Sequence, residues 1–204
     1  IKLREAGIPF TILEKEAGVG GTWFLNTYPG AACDIPAHLY SFSFEPKTDW
    51  SEAYAPQPEI HAYLEAVVSK HELWDHIRLN CAVKRCTWDQ AAGRWTLETS
   101  DGLTLRPRFV INGIGALHHP KFPQVPGIDE FQGQSFHSAQ WNPSVDLRGK
   151  KVVVVGSAAS AVQLTPIVAE QAEHLTILQR TPNWISSRAA PPPPPRGSPA
   201  SRLQ

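Results

Sequence analysis

Residues 151–179, KVVVVGSAASAVQLTPIVAEQAEHLTILQ, decide the fold of this chain. Val152, Val153, Val154 and Val155 form a β-branched run of the kind buried in a parallel sheet. A small-residue turn follows, Gly156-Ser157-Ala158-Ala159-Ser160-Ala161, leading into Val162. Residues 161–173 then read as a helix and 175–179 as a second strand. Strand, helix and strand in that order make a βαβ unit, with parallel strands and a right-handed crossover.

The turn stands where such units carry G-x-G-x-x-G/A. Gly156 permits the tight bend, and Ala161 is small enough for helix and strand to pack closely. The helix N-terminus presents backbone N–H groups and the positive dipole end to a pyrophosphate. Ala158 replaces the middle glycine, so its methyl group is expected to weaken pyrophosphate binding without abolishing it. Arg180 and Thr181 follow the second strand. An acidic residue there favours the ribose diol of NAD, whereas arginine favours a 2′-phosphate. NADP is therefore expected over NAD, although an arginine at a strand end is otherwise simply solvated.

The front of the chain has the same geometry. Residues 10–14 read as a strand ending in Glu14, the acidic position that hydrogen-bonds a ribose diol. Gly18, Gly20 and Gly21 then mark a tight loop. The phosphate-binding glycine turn of such a unit lies about 20 residues before its acidic residue, which puts it upstream of Ile1. Residues 1–6 read as a helix closed by Gly7, and 24–57 as a long structured loop rich in aromatics and prolines. Residues 58–72 form a helix with Ile60, Tyr63, Leu64, Val67 and Val68 on one face. Strands are expected at 77–85, 94–99 and 103–106, with turns at 89–93 and 101–102. Residues 109–114 read as a buried strand.

The fold class is therefore α/β, with two dinucleotide-binding Rossmann-like domains, both incomplete. Residues 1–115 form a partial first domain, 116–149 a connector, 150–187 a partial second domain, and 188–204 a disordered proline-rich tail containing Pro191 and Pro195.

Composition narrows the class further. The 204 residues are 42% hydrophobic, with 19 basic and 19 acidic side chains, so the formal charge is zero. That balance points away from nucleic acid and from a polybasic membrane surface. No apolar run approaches the roughly 18 residues of a membrane span, and a cytoplasmic protein is expected. Cys33, Cys81 and Cys86 make neither a metal-ligand pattern nor a disulfide framework. Cys81 and Cys86 have the C-x4-C spacing of a redox pair, yet on a strand they point to opposite faces and read as ordinary thiols. His118 and His119 are adjacent and cannot readily chelate one ion.

Three motifs in order resemble the class B flavoprotein monooxygenases, the family of Baeyer–Villiger and flavin-containing monooxygenases. Phe131-x-Gly133-x3-His137-x3-Trp141 follows the Baeyer–Villiger fingerprint, with Asn142 where Pro or Asp is usual. Gly20-Gly21-Thr22-Trp23 precedes Tyr28-Pro29-Gly30 and Asp34, and Gln179-Arg180-Thr181-Pro182-Asn183 closes the second βαβ unit. The resemblance covers nearly all of residues 1–187.

It implies an FAD site lined by Glu14, Gly21, Thr22, Trp23, Cys33, Asp34, Tyr40 and Val83, with Phe24 and Leu25 adjoining. It implies an NADP site at Gly156 through Val162, Arg180 and Thr181. Asp34 would help orient the cofactors, and His137 would serve domain movement rather than proton transfer, with a structural histidine as the plain alternative. Trp141 would anchor the connector by packing. Ala32 stands where relatives often carry arginine, so one cofactor contact is expected to be missing.

The implied reaction uses NADPH to reduce FAD and O₂ to form a C4a-peroxyflavin. That species inserts one oxygen atom into a ketone or aldehyde, or onto a soft N or S atom. The partners are thus a small organic substrate and O₂. Two other classes are open: a flavin-dependent NADPH reductase or oxidase without oxygenation, and a non-catalytic remnant. The chain as written is expected to be cut at both ends, to bind FAD poorly and to turn over NADPH slowly.

Overall fold

The valine run and the strand after the helix pair as expected, but the run is not buried. Val153 and Val155 are 56% and 57% exposed, since no layer among the described residues covers that face. In the computed structural model, which describes residues 1–185, β6 (Lys151–Val155) and β7 (His174–Leu178) are parallel neighbours. Their register runs from Lys151↔His174 to Val155↔Leu178. Between them lies α4 (Ala159–Gln171), which buries Leu164 and Val168 one turn apart. The helix starts and ends two residues earlier than its pattern predicts. Ala158 already has extended backbone and acts as N-cap, and Ala172 is extended again at the far end. There Glu173 N and His174 N both donate to Lys150 O, at 3.0 and 3.4 Å, and this draws the chain out of the helix into β7. Pro166 sits inside α4 and cannot donate to the carbonyl one turn before it.

The chain forms two compact units that interleave in sequence: residues 1–24 with 62–118, and residues 25–61 with 119 onward. The long loop therefore groups with the second βαβ unit rather than with the remainder of residues 1–115. The tail expected at 188–204 lies outside the described residues.

In the first unit, α1 (Lys2–Glu5) ends at Gly7, whose φ of +66° suits glycine. β1 (Ile12–Leu13) pairs in parallel with β2 (Ile77–Arg78). The expected single strand at 77–85 is instead two. Cys81 N and Asn80 N still donate to Glu14 O and Glu16 O, but Asn80 has a φ of +53° and turns the chain away. It then enters a second sheet of order β3 (Val83–Asp89), β4 (Arg94–Thr99), β5 (Thr104–Leu105), all antiparallel.

Both turns of this sheet fall where their residues predict, with Asp89 Oδ1 accepting from Ala92 N at 3.0 Å and Gly93 at φ +59°. Trp88 and Trp95 face each other across the β3–β4 ladder, ring centroids 5.4 Å apart. Residues 109–114 do not form the expected buried strand. Phe109, Ile111 and Ile114 are 77%, 79% and 70% exposed, and no segment among the described residues pairs with them. An apolar run becomes a buried strand only where a ladder partner and a covering layer exist, and hydrophobicity alone cannot supply either.

In the second unit, the loop after α2 (Thr22–Leu25) is held by backbone bonds to the segment before α3 (Gln57–Lys70). Cys33 N donates to Ala55 O at 2.9 Å, Gln57 N to Ala31 O at 2.8 Å and Ala37 N to Ala53 O at 2.7 Å. Ala31, Cys33, Ala37 and Ala55 are buried along this seam. The expected apolar face of α3 is present, with Ile60, Tyr63 and Val67 buried and Leu64 and Val68 half-buried. The connector is irregular apart from short 3-10 turns at Ile128–Glu130 and Ser138–Gln140.

Candidate functional site

The turn between β6 and α4 leads into a helix start without a side-chain cap. Gly156 has a φ of +111°, and a Cβ there would meet nothing within 4 Å. Glycine is required by the backbone, then, and the space in front of it is open. Gly156 N donates to Leu178 O at 2.9 Å, tying the bend to the end of β7. Ala158 caps α4 with no side-chain hydrogen bond, and Val162 N makes its bond to Ala158 O at 3.0 Å. The N–H groups of Ala159, Ser160 and Ala161 precede that bond, so they belong to the set of helix-start donors that no intrahelical carbonyl serves. An alanine cap leaves them to whatever acceptor arrives from outside.

Ser157 is the pinned residue of the turn. Its Oγ accepts from Gln179 Nε2 at 3.0 Å and from Asn183 Nδ2 at 3.2 Å, and its carbonyl accepts from Asn183 Nδ2 at 2.6 Å. The segment after β7 thus folds back over the glycine turn. Arg180 and Thr181 lie in that segment, both exposed. Sequence reading named Gln179 and Asn183 only as motif letters, and their amide donors turn out to brace the turn.

Glu14 follows β1 and is half-buried; its Oε1 accepts from Glu16 N at 2.9 Å. Gly20 and Gly21 have φ of +120° and +54° and start α2, with Trp23 N donating to Gly20 O at 3.0 Å and Phe24 N to Gly21 O at 3.1 Å. Thr22 and Gly21 are exposed, whereas Trp23, Phe24 and Leu25 are half-buried. The Phe24 ring lies against Gly18, 2.4 Å from where a Cβ would stand, which explains a glycine the motif does not name. Val83 opens β3 beside a register shift and is exposed.

In the second unit Cys33 is buried at 2% exposure, while its neighbour Asp34 is exposed. Tyr40 closes the 3-10 turn Ala37–Leu39 and is half-buried. His137 is a cap: its Nδ1 accepts from Ala139 N at 3.1 Å, and its ring meets Phe122 edge-on at 5.7 Å. Trp141 packs edge-on against Phe136 at 5.3 Å. Gly133 underlies the Phe131 ring, 2.5 Å from the site of a Cβ, which gives the F-x-G spacing a steric reason. All three cysteines are free thiols; Cys81 is buried between β2 and β3, and Cys86 is exposed on β3, so the two do not share the single strand expected of them.

Gln163 was missed entirely. It projects from α4 to loop 28–32, with Nε2 donating to Ala32 O at 2.8 Å and Oε1 accepting from Tyr28 Oη at 2.8 Å. An amide within a helix stretch that includes Val162, Leu164, Ile167 and Val168 was the available signal.

Comparison with known proteins matches this arrangement. A family model described as pyridine nucleotide-disulphide oxidoreductase matches residues 1–193. A Baeyer–Villiger monooxygenase of Streptomyces coelicolor is 45% identical over 189 residues, which are 92% of this chain and 36% of that protein. Another of the same description, from Pseudomonas aeruginosa, is 44% identical over 186 residues, 91% of this chain and 35% of the relative. The crystal structure of the OTEMO complex with FAD and NADP superposes with a TM-score of 0.85 at 34% identity, covering 90% of this chain and 36% of that one. The chain spans a little over a third of the length of these relatives. Among the described residues no helix is long and apolar enough to cross a membrane. Matched by that family model over residues 1–193 and by these relatives over about nine-tenths of its length, the chain belongs to the pyridine nucleotide-disulphide oxidoreductase family and is a class B flavoprotein monooxygenase relative.

Proposed function

We propose that the whole protein carrying this chain is an NADPH-dependent FAD monooxygenase. It would place one oxygen atom of O₂ into a ketone or aldehyde, or onto a soft nitrogen or sulfur atom. The observation that carries the reading is the uncapped start of α4 behind the open Gly156 bend, with Arg180 in the segment braced over it. These residues fit NADP: N–H donors for the pyrophosphate, space in front of Gly156, and a guanidinium for the 2′-phosphate. Ala158 is exposed, so its methyl narrows that space without closing it.

The residues also fit FAD. Glu14 spends one oxygen on Glu16 N and, as a carboxylate, retains acceptor sites for a ribose diol. Gly21, Thr22, Trp23, Phe24, Leu25, Cys33, Tyr40 and Val83 are assigned to the flavin surroundings by family motif. FAD, when bound, supplies the redox and oxygen-activating chemistry. The protein binds the two nucleotides, aims them and excludes water around them. Asp34, exposed beside a buried Cys33, is assigned to orient the cofactors. His137 holds the connector through its cap on Ala139, and its role is positional.

The other partners are a small organic substrate and O₂. Three free thiols and balanced charge suit a cytoplasmic setting. The test is anaerobic mixing of the FAD-loaded whole protein with NADPH and, separately, NADH. Loss of the oxidised flavin absorbance is expected with NADPH and much more slowly with NADH. Nucleotide binding without bleaching would mark a non-catalytic remnant and overturn the reading.

A further inference from the structure

One polar side chain of α4 serves neither the glycine turn nor the helix itself. Gln163 meets both backbone groups of Ala32: its Nε2 donates to Ala32 O at 2.8 Å, and its Oε1 accepts from Ala32 N at 3.4 Å. The same Oε1 accepts from Tyr28 Oη at 2.8 Å. One carboxamide thus treats a loop residue as a neighbouring strand would. Gly30, at φ +79°, brings the loop backbone onto the helix, since a Cβ there would stand 2.7 Å from Gln163 O and 2.9 Å from Ile167 Cδ1. The opposite edge of the loop is fixed by Cys33 N to Ala55 O and Gln57 N to Ala31 O. Asp34 comes immediately after this doubly pinned stretch. Gln163 itself lies one turn beyond Ala159, the first residue of α4.

We propose that Gln163 is a positioning residue that ties the loop bearing Asp34 to the helix whose first turn receives NADP. The nucleotide and the Asp34 carboxylate are thereby held in one frame. This rests on the functional reading above. Alanine at 163 would leave Ala32 O and the Tyr28 hydroxyl without their partner. Glutamate would keep the acceptor but set a carboxylate oxygen against Ala32 O, and only the protonated form can donate there. The facing carbonyl of Ala32 opposes ionisation of the introduced carboxyl while the Tyr28 hydroxyl and the Ala32 N–H favour it, and the defect is relieved as pH falls through its titration.

The experiment compares wild type, Gln163→Ala and Gln163→Glu in the FAD-loaded whole protein. It reads amide hydrogen exchange over residues 28–36 and the rate of flavin bleaching by NADPH between about pH 8 and pH 5. In Gln163→Ala the exchange should speed up on the order of tenfold. Its maximal bleaching rate should fall on the order of tenfold or more, with the Kd for NADP⁺ within about twofold. Gln163→Glu, which keeps the acceptor for Tyr28 and Ala32 N, should show a smaller loss at the alkaline end and recover towards wild type at the acid end, whereas Gln163→Ala should not recover. Unchanged exchange over 28–36 in Gln163→Ala would overturn the proposal. So would equal losses in both variants at every pH. A wild-type flavin that NADPH fails to bleach would overturn the functional reading instead, with the exchange data still deciding whether Gln163 holds the loop.

Discussion

Two glycines and one arginine set the residue-scale expectations. Gly30 combines a left-handed backbone with a 2.7 Å approach to the carbonyl of Gln163, which cannot move without disturbing α4. Gly30→Ala should therefore cost about 2–3 kcal/mol, read from the urea midpoint at unchanged m-value. Gly156 is left-handed too, but open space surrounds it, so substitution there should act mainly on the turn's nucleotide affinity. Arg180→Ala should weaken NADPH binding by roughly ten- to a hundredfold, the loss of a charge-assisted phosphate contact, and leave NADH binding nearly unaltered. Equal effects on both nucleotides, measured by titration, would remove Arg180 from the 2′-phosphate.

The turn itself was legible because Gly156 and Ala161 meet steric requirements within one six-residue stretch. Gln163 was not, because its partners Tyr28 and Ala32 lie 135 and 131 residues away. No local pattern encodes such a contact.

At the scale of elements, the β3–β4–β5 sheet carries its own lock. Asp101, in the β4–β5 turn, accepts from the Thr99 hydroxyl, from Arg78 Nε and Nη2 at 3.1 and 2.7 Å, and from the Cys81 thiol at 3.7 Å. The hydroxyl of Thr99 first, then the Arg78 guanidinium, holds the Asp101 carboxyl well below the usual carboxylate range. A carboxyl depressed in the folded state stabilises fully above its unfolded pKa of about 4, and that stability drains away as pH falls through the folded value. Asp101→Asn should lower the thermal midpoint at neutral pH and shrink the difference from wild type as pH drops below about 4. A constant difference across that range would contradict the assignment.

The tryptophan pair makes a second test. A double-mutant cycle on Trp88→Ala and Trp95→Ala should return a coupling of about 1 kcal/mol. These hairpins were readable from the turn residues at 89–93 and from Asp101-Gly102. The split at Asn80 was not, since left-handed asparagine becomes visible only when the strand's partners change. Residues 109–114 misled for the reverse reason, being apolar enough for a core strand while lacking a ladder partner among the described residues.

For the molecule as a whole, the two units interleave in sequence. The loop that bears Cys33 and Asp34 follows the first glycine pair in sequence, yet it packs with the second βαβ unit through Gln163 and Gly30. Linear reading assigned it to the first domain because sequence order was the guide it had. Motif order and family membership support the chemistry proposed above, and the Baeyer–Villiger monooxygenase relatives extend well beyond the span of this chain. The most direct test of that chemistry is the fate of oxygen. The FAD-loaded whole protein, given NADPH, ¹⁸O₂ and a panel of cyclic ketones and thioethers, should yield a product carrying one labelled atom per NADPH consumed, read by mass spectrometry. NADPH consumption with labelled hydrogen peroxide and no labelled organic product would contradict the account and make the protein a flavin-dependent oxidase.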